Sequence, residues 1–397
     1  MIIKRCIPIE FFISNSVILL TFSYVLILFG ILPKNETINT AWSIMVLSLA
    51  FCFYLIDRKA IKFYKLELLM IPLLCLITIV NMFFLSNLDS ALYNLNTIFI
   101  IISFILLMSK SKYINPTTIE YVLNSIMLVG VASSIINILS NYSDMFNMYQ
   151  VSSAYDIKFT GLFLGRNQQG VYLFLSLVSW HILKIIYRKQ MSPFIPMLLL
   201  CNTILSFSRA SILATMVYFL FYYLNKKNIK SILLMIPFAI ALIFVYNYTS
   251  IGDFADRFLF RLEAGSAGRI ERWSGVFTII FDNLFLLLGV SSAGFKEVVS
   301  NIDVSQIDNA YIEVLLSYGL TGLFLYVFLI LHNVQKTRML VHNSQINKIL
   351  FSFSSSFLIY SFFESVILFE PGIIQWTCSI LLFAFPRAFY NNDLTLS

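Results

Sequence analysis

Apolar residues run along this chain in blocks of about twenty, and polar residues collect between them. A helix needs about twenty residues to cross the roughly 30 Å hydrocarbon layer, so such blocks predict membrane spans. Twelve are predicted, at 11–32, 38–56, 66–85, 90–108, 119–139, 168–187, 192–207, 209–224, 231–248, 309–331, 349–368 and 372–389. The short alternating segments of an outer-membrane barrel are absent from the sequence. The expected fold is all-α, a polytopic bundle forming one transmembrane domain over 1–397. The first segment follows Lys4 and Arg5 and lacks a small-residue cleavage site. It reads as a retained span rather than a removed signal peptide.

Most connections between the spans are short. Two are not: Ser140–Thr160, with Asp144 and Asp156, and Thr249–Asp308, about sixty residues long. Loops longer than about fifteen residues are usually functional or disordered. Within the second, the apolar stretch Trp273–Gly289 is interrupted by Asp282 and Asn283 and is short for a span. It predicts an amphipathic helix on the membrane surface or a re-entrant segment. No internal repeat is evident.

Composition agrees with this pattern: 59% of the residues are hydrophobic and 12% charged, against about half and a quarter in a soluble domain. The net charge of +7 could suggest nucleic acid, but its placement argues otherwise. Eighteen of the 27 basic residues fall on alternate connections, among them Lys4, Arg5, Arg58, Lys59, Lys62, Lys65, Lys110, Lys112, Lys184, Arg188, Lys189 and Arg387. By the positive-inside rule those connections, and both termini, are cytoplasmic. Their partners are lipid headgroups, not nucleic acid. The long segment 249–308 is then extracytoplasmic. Its arginines, Arg257, Arg261, Arg269 and Arg272, stand where the rule expects few. Cys6, Cys52, Cys75, Cys201 and Cys378 all lie outside it, which argues against an external disulfide framework. No Cys or His pair has metal-ligand spacing, and no metal or other cofactor is expected.

Four motifs carry the candidate chemistry. Gly161, Gly165, Arg166, Asn167 and Gly170 enter the sixth span, where glycines admit close backbone approach and Arg and Asn supply donors. Ser206, Ser208, Arg209 and Ser211 form a tight outer turn, where an Arg at the hydrocarbon boundary needs partners. Gly265, Gly268, Arg269, Arg272 and Trp273 put two guanidinium groups on one helical face behind small residues, an arrangement suited to a pyrophosphate. Internal ion pairing is the alternative there, since segment 249–308 holds five basic and eight acidic residues. Asp308, Asn309, Tyr311, Gly319 and Gly322 open the tenth span. Asp308 could take a proton from a sugar hydroxyl, or could simply cap the helix. His181, His332 and His342 all fall on the cytoplasmic side, so a base on the outer face must be something other than histidine.

At these four motifs together the chain resembles the O-antigen polymerase and O-antigen ligase superfamily, over about residues 155–330. The resemblance implies a bacterial inner-membrane glycosyltransferase acting outside the cytoplasmic membrane on glycans carried by undecaprenyl pyrophosphate. Ligase-type members usually carry an outer His where this chain has Asp308, which points to the polymerase branch. In that reading Asp308, Arg269 and Arg272 are catalytic. Arg166, Asn167, Ser208, Arg209, Asn309, Tyr311 and Trp273 bind substrate. A chain-length regulator and a flippase are implied partners. The alternatives are a ligase of the same superfamily and a polytopic transporter or flippase. Transporters usually place ionisable residues near the bilayer midplane, whereas Glu67, Glu120 and Glu364 lie toward span ends.

Overall fold

The computed structural model describes residues 61–62, 76, 79, 110–111, 116–146, 159–163, 165–223, 269–282, 289–290, 295, 307–341, 343–368 and 373–390. The expected spans 11–32, 38–56, 90–108 and 231–248 lie outside these residues, as does 66–85 apart from helical Leu76 and Ile79. Arg257, Arg261, Gly265, Gly268 and Gly294 are outside them too.

The described elements are helical with one exception. Strand β1 (Ile61–Lys62) pairs antiparallel with β2 (Lys110–Ser111), Ile61 opposite Ser111 and Lys62 opposite Lys110. Both strands belong to connections that the charge rule puts on the cytoplasmic side, and a backbone pairing requires them to share a side. Among the described residues, three helices are long and apolar enough to cross a membrane: Pro116–Asn141, Ala310–Leu340 and Ser344–Phe363.

Contacts group the chain into two compact units. One comprises Met1–Ile126, Arg269–Leu350 and Ser361–Ser397; the other comprises Met127–Gly268 and Phe351–Tyr360. They are called unit 1 and unit 2.

Unit 2 is built from most of α1 (Pro116–Phe146), then α2 (Arg166–Ile185), α3 (Phe194–Leu205) and α4 (Arg209–Tyr223). Helix α1 kinks at Asn141, whose φ and ψ are non-helical. Helix α2 is buried on every side from Gln169 to Leu183, the mark of a central helix rather than a half-exposed one. Phe174 is the hinge of its packing, ring to ring with Tyr218 of α4 and with Phe353. At the other end Lys189 N donates to Leu183 O, closing α2 with Arg188 in the left-handed region (φ 52°). Arginine stands there in a conformation usually taken by glycine. Helix α3 is shorter than the expected span at 192–207. Its twelve residues rise only about 18 Å, short of the hydrocarbon thickness. The chain turns at Ser206–Ser208 because Phe207 takes a left-handed φ of 52°. Burial of its ring, 5.9 Å from that of Phe159, holds it there.

Unit 1 contains α5 (Arg269–Asp282), α6 (Ala310–Leu340), α8 (Ile373–Ser379), a π-helical turn at Ile380–Ala384, and α9 (Phe385–Tyr390). Helix α7 (Ser344–Phe363) contributes its ends to unit 1 and residues 351–360 to unit 2. The connection expected between the spans 309–331 and 349–368 is mostly helix. Helix α6 continues to Leu340 because Asn333 and Thr337, although polar, are buried, and α7 starts at Ser344 behind Asn343, whose Oδ1 accepts from Gln345 N. Asn333 Nδ2 donates to Leu382 O at 2.6 Å. It thereby satisfies a carbonyl in the π-helical turn, where the regular ladder is interrupted. Val276 and Ile280 of α5 pack with Ile307, Ile312 and Leu316 at the start of α6.

Candidate functional site

In unit 1 the site grows from the start of α6. Asn309 is extended and its Oδ1 accepts from Tyr311 N at 2.9 Å and from Ile312 N at 3.1 Å. Asn309 is therefore the helix cap, a role that sequence alone could equally have given Asp308. Asp308 is left to other work. Its backbone takes a left-handed φ of 52°, which an aspartate tolerates better than most residues. Its Oδ2 lies 3.3 Å from Arg272 Nη2, thirty-six residues earlier in the chain. The two side chains are 23% and 17% exposed, so the pair is sheltered without being sealed from water.

Helix α5 brings Arg272 there through its neighbour. Trp273 Nε1 donates to Ile307 O at 2.8 Å, and the indole stands edge-on to Phe362. Arg272 is thus anchored by the residue after it, to the backbone one residue before Asp308. The apolar stretch 273–289 is helical over 273–282 as part of α5, and 283–288 lie outside the described residues; the inner face of α5 is Trp273, Val276 and Ile280, while Phe277 and Phe281 are exposed. Arg269 is its first residue. Tyr311 is half-buried, its ring 6.5 Å from that of Tyr326.

Behind this pair the chain crosses α6 backbone to backbone. Val290 N donates to Leu316 O at 2.8 Å, and α6 is broken at Gly319 (φ 70°, ψ −173°). A Cβ on Gly289 (φ 87°) would lie 2.6 Å from Gly319 N and 2.7 Å from Ser317 O. Glycine is needed at 289 for both the φ and the clearance.

In unit 2 the motif residues gather on the first turns of α2 and α4. Arg166 and Asn167 begin α2 and are half-buried; Arg209 begins α4. Around Gly170 close in Ser206 Oγ, Ser208 Cβ and Ser211 Oγ, all within 2.8 Å of where a Cβ would stand. The turn 206–211 therefore lies against α2 about one helical turn from Arg166. Ser208 is buried, and its Oγ is 2.8 Å from Ser211 Oγ.

The sequence reading did not single out Ser133 or assign a role to Gln169. Ser133 Oγ accepts from Leu162 N at 3.0 Å and donates to Gln169 Oε1 at 2.6 Å. Gly161 (φ 55°) sits against both side chains. Farther along, Asn137 Nδ2 donates to Asn202 Oδ1 at 3.0 Å. Ser133, Asn137, Gln169 and Asn202 are fully buried. The available signal was a neutral polar residue inside an apolar block, which is weak because serine and asparagine also occur in spans as packing residues.

The structure thus groups Arg272, Trp273, Asp308, Asn309 and Tyr311 in unit 1, and Arg166, Asn167, Ser208 and Arg209 in unit 2. Asn309 and Trp273 have hydrogen bonds that build the site, a cap and an anchor, in addition to the substrate contacts expected of them. Residues 194–327, about a third of the chain and including three of the four motifs, match the family model described as O-antigen ligase. No curated protein matches the chain. The match supports the O-antigen polymerase and ligase superfamily and leaves polymerase and ligase undistinguished. With three membrane-length helices among the described residues, it marks a multi-pass membrane protein.

Proposed function

We propose that this chain is a glycosyltransferase of the bacterial inner membrane. It joins undecaprenyl-pyrophosphate-linked repeat units into a surface polysaccharide on the extracytoplasmic face. The observation that carries the reading is the Arg272–Asp308 pair at the capped start of α6. Asn309 performs the capping, so the carboxylate beside it is available for chemistry.

In the reaction a hydroxyl of one lipid-linked unit attacks the anomeric carbon of the glycan on another. The new C–O bond forms as the bond to the lipid pyrophosphate breaks. Asp308 takes the hydroxyl proton, and the electron pair leaves on the diphosphate oxygen. Charge develops on that leaving group, and guanidinium groups aimed at it stabilise the transition state. Arg269 and Arg272 have that role, since a planar fork of donors suits a diphosphate. Arg166 and Arg209, with Asn167 and Ser208, bind the incoming unit and any acidic sugars on it. Tyr311 lies beside the attacking hydroxyl. Arginine can neutralise the leaving group without a metal ion.

A ligase of the same superfamily is the second reading, favoured by the description of the family model that matches 194–327. The glycan profile of a strain lacking the gene separates the two. A single repeat unit on the lipid core is expected from loss of a polymerase, and a bare core from loss of a ligase. Full-length polymer would defeat both.

A further inference from the structure

The first turn of α2 holds a donor that its own unit does not use. Gly165 begins the helix in extended conformation, and no side chain caps it. Three residues into the helix, Gln169 is wholly buried, and its Nε2 has no hydrogen-bond partner among the described residues. Ser133 Oγ accepts from Leu162 N and donates to Gln169 Oε1, and the NH2 end of the carboxamide is left over. That end lies against the loop leading into α2: a Cβ on Gly161 would be 2.8 Å from it. A buried N–H without an acceptor is costly and uncommon in a settled structure. A ligand oxygen would complete it.

We propose that Gln169, held by Ser133 at the start of α2, is a saccharide subsite that donates to a neutral oxygen of the lipid-linked glycan, a hydroxyl or an acetamido carbonyl. The chemistry around the amide selects that class. Ser133, Gly161 and Leu162 are all neutral, and a carboxamide donor matches an uncharged acceptor without burying a charge. Gly170 and the serines at 206, 208 and 211 continue the neutral lining on the adjacent face of α2. The subsite rests on the proposed glycosyl transfer and adds to it a residue that selects sugar rather than diphosphate.

The test uses the full chain in nanodiscs and the lipid-linked oligosaccharide fraction extracted from a strain lacking the gene. Gln169→Glu keeps the acceptor for Ser133 and removes the donor; Gln169→Leu removes both. Each is expected to raise KM for the fraction roughly tenfold while kcat stays within about twofold, the pattern of lost uniform binding. Hydrogen exchange on the wild type supplies a measurement that needs no variant. Amides of 162–169 are expected to slow when the fraction is added. Wild-type KM in both variants, or exchange unchanged in a wild type that elongates the fraction, overturns the subsite alone. A wild type that neither binds nor elongates the fraction overturns the functional reading beneath it.

Discussion

Unit 1 ties its candidate residues together with charge, whereas unit 2 does so with neutral hydroxyls and carboxamides. The difference follows the degree of shelter. Arg272 and Asp308 are 23% and 17% exposed, enough for water to share in solvating both ions. Ser133, Gln169, Asn137 and Asn202 are fully buried, where an ion pair would lose more in desolvation than it gains and a neutral hydrogen bond contributes about 1 kcal/mol. Under the proposed function, a diphosphate needs cations with room to respond, and a sugar needs fixed neutral donors and acceptors.

Substitutions can break this comparison, and the largest effects belong to the charged unit. Arg269→Ala is expected to abolish polymer formation with the protein still inserted, read from the glycan profile and a membrane blot. Normal long chains would take Arg269 out of the site. Arg272→Ala is expected to lower turnover by about 10²–10³, the scale of a lost electrostatic donor. Asp308→Asn is expected to lower it by about 10², the lower end for a general base. A turnover near wild type for Asp308→Asn would reduce the carboxylate to a partner for Arg272. The double variant Arg272→Ala with Asp308→Asn should cost less than the two single losses combined, because the groups act as one pair. Full additivity would separate them.

Stability effects come next. Gly289→Ala puts a Cβ within 2.7 Å of α6 backbone at a left-handed φ. It should destabilise unit 1 by about 2–3 kcal/mol, from backbone strain and overpacking, seen as a lower melting temperature in detergent. The smallest effect is expected at Arg188, which is exposed and strained at φ 52°. Arg188→Gly should stabilise unit 2 by about 1 kcal/mol; a lower melting temperature would mean that the arginine side chain contributes more than its strain costs.

Among the described residues, helices were legible where apolar runs were long. Expected spans at 119–139, 168–187 and 372–389 appear as helices over 116–146, 166–185 and 373–390. The misjudged boundaries have a common cause. Asn333 and Thr337 look like loop residues by hydropathy, yet they are buried inside α6 because Asn333 meets a carbonyl at Leu382, forty-nine residues away. Helix α3 is shorter than its expected bounds for a different reason: its flanks are apolar, but Phe207 turns the chain after twelve residues, and a left-handed φ in a phenylalanine has no local signature.

Residue type and spacing alone determined that this is a helical membrane protein with arginines at three of its outer connections, because hydropathy and charge act locally along the chain. Which arginine meets which carboxylate, which of two adjacent residues caps α6, and that Gln169 has a donor to spare were decided by tertiary structure. Each depends on groups tens of residues apart, Arg272 with Asp308 and Ser133 with Gln169, whose approach is fixed by packing and has no period in the sequence.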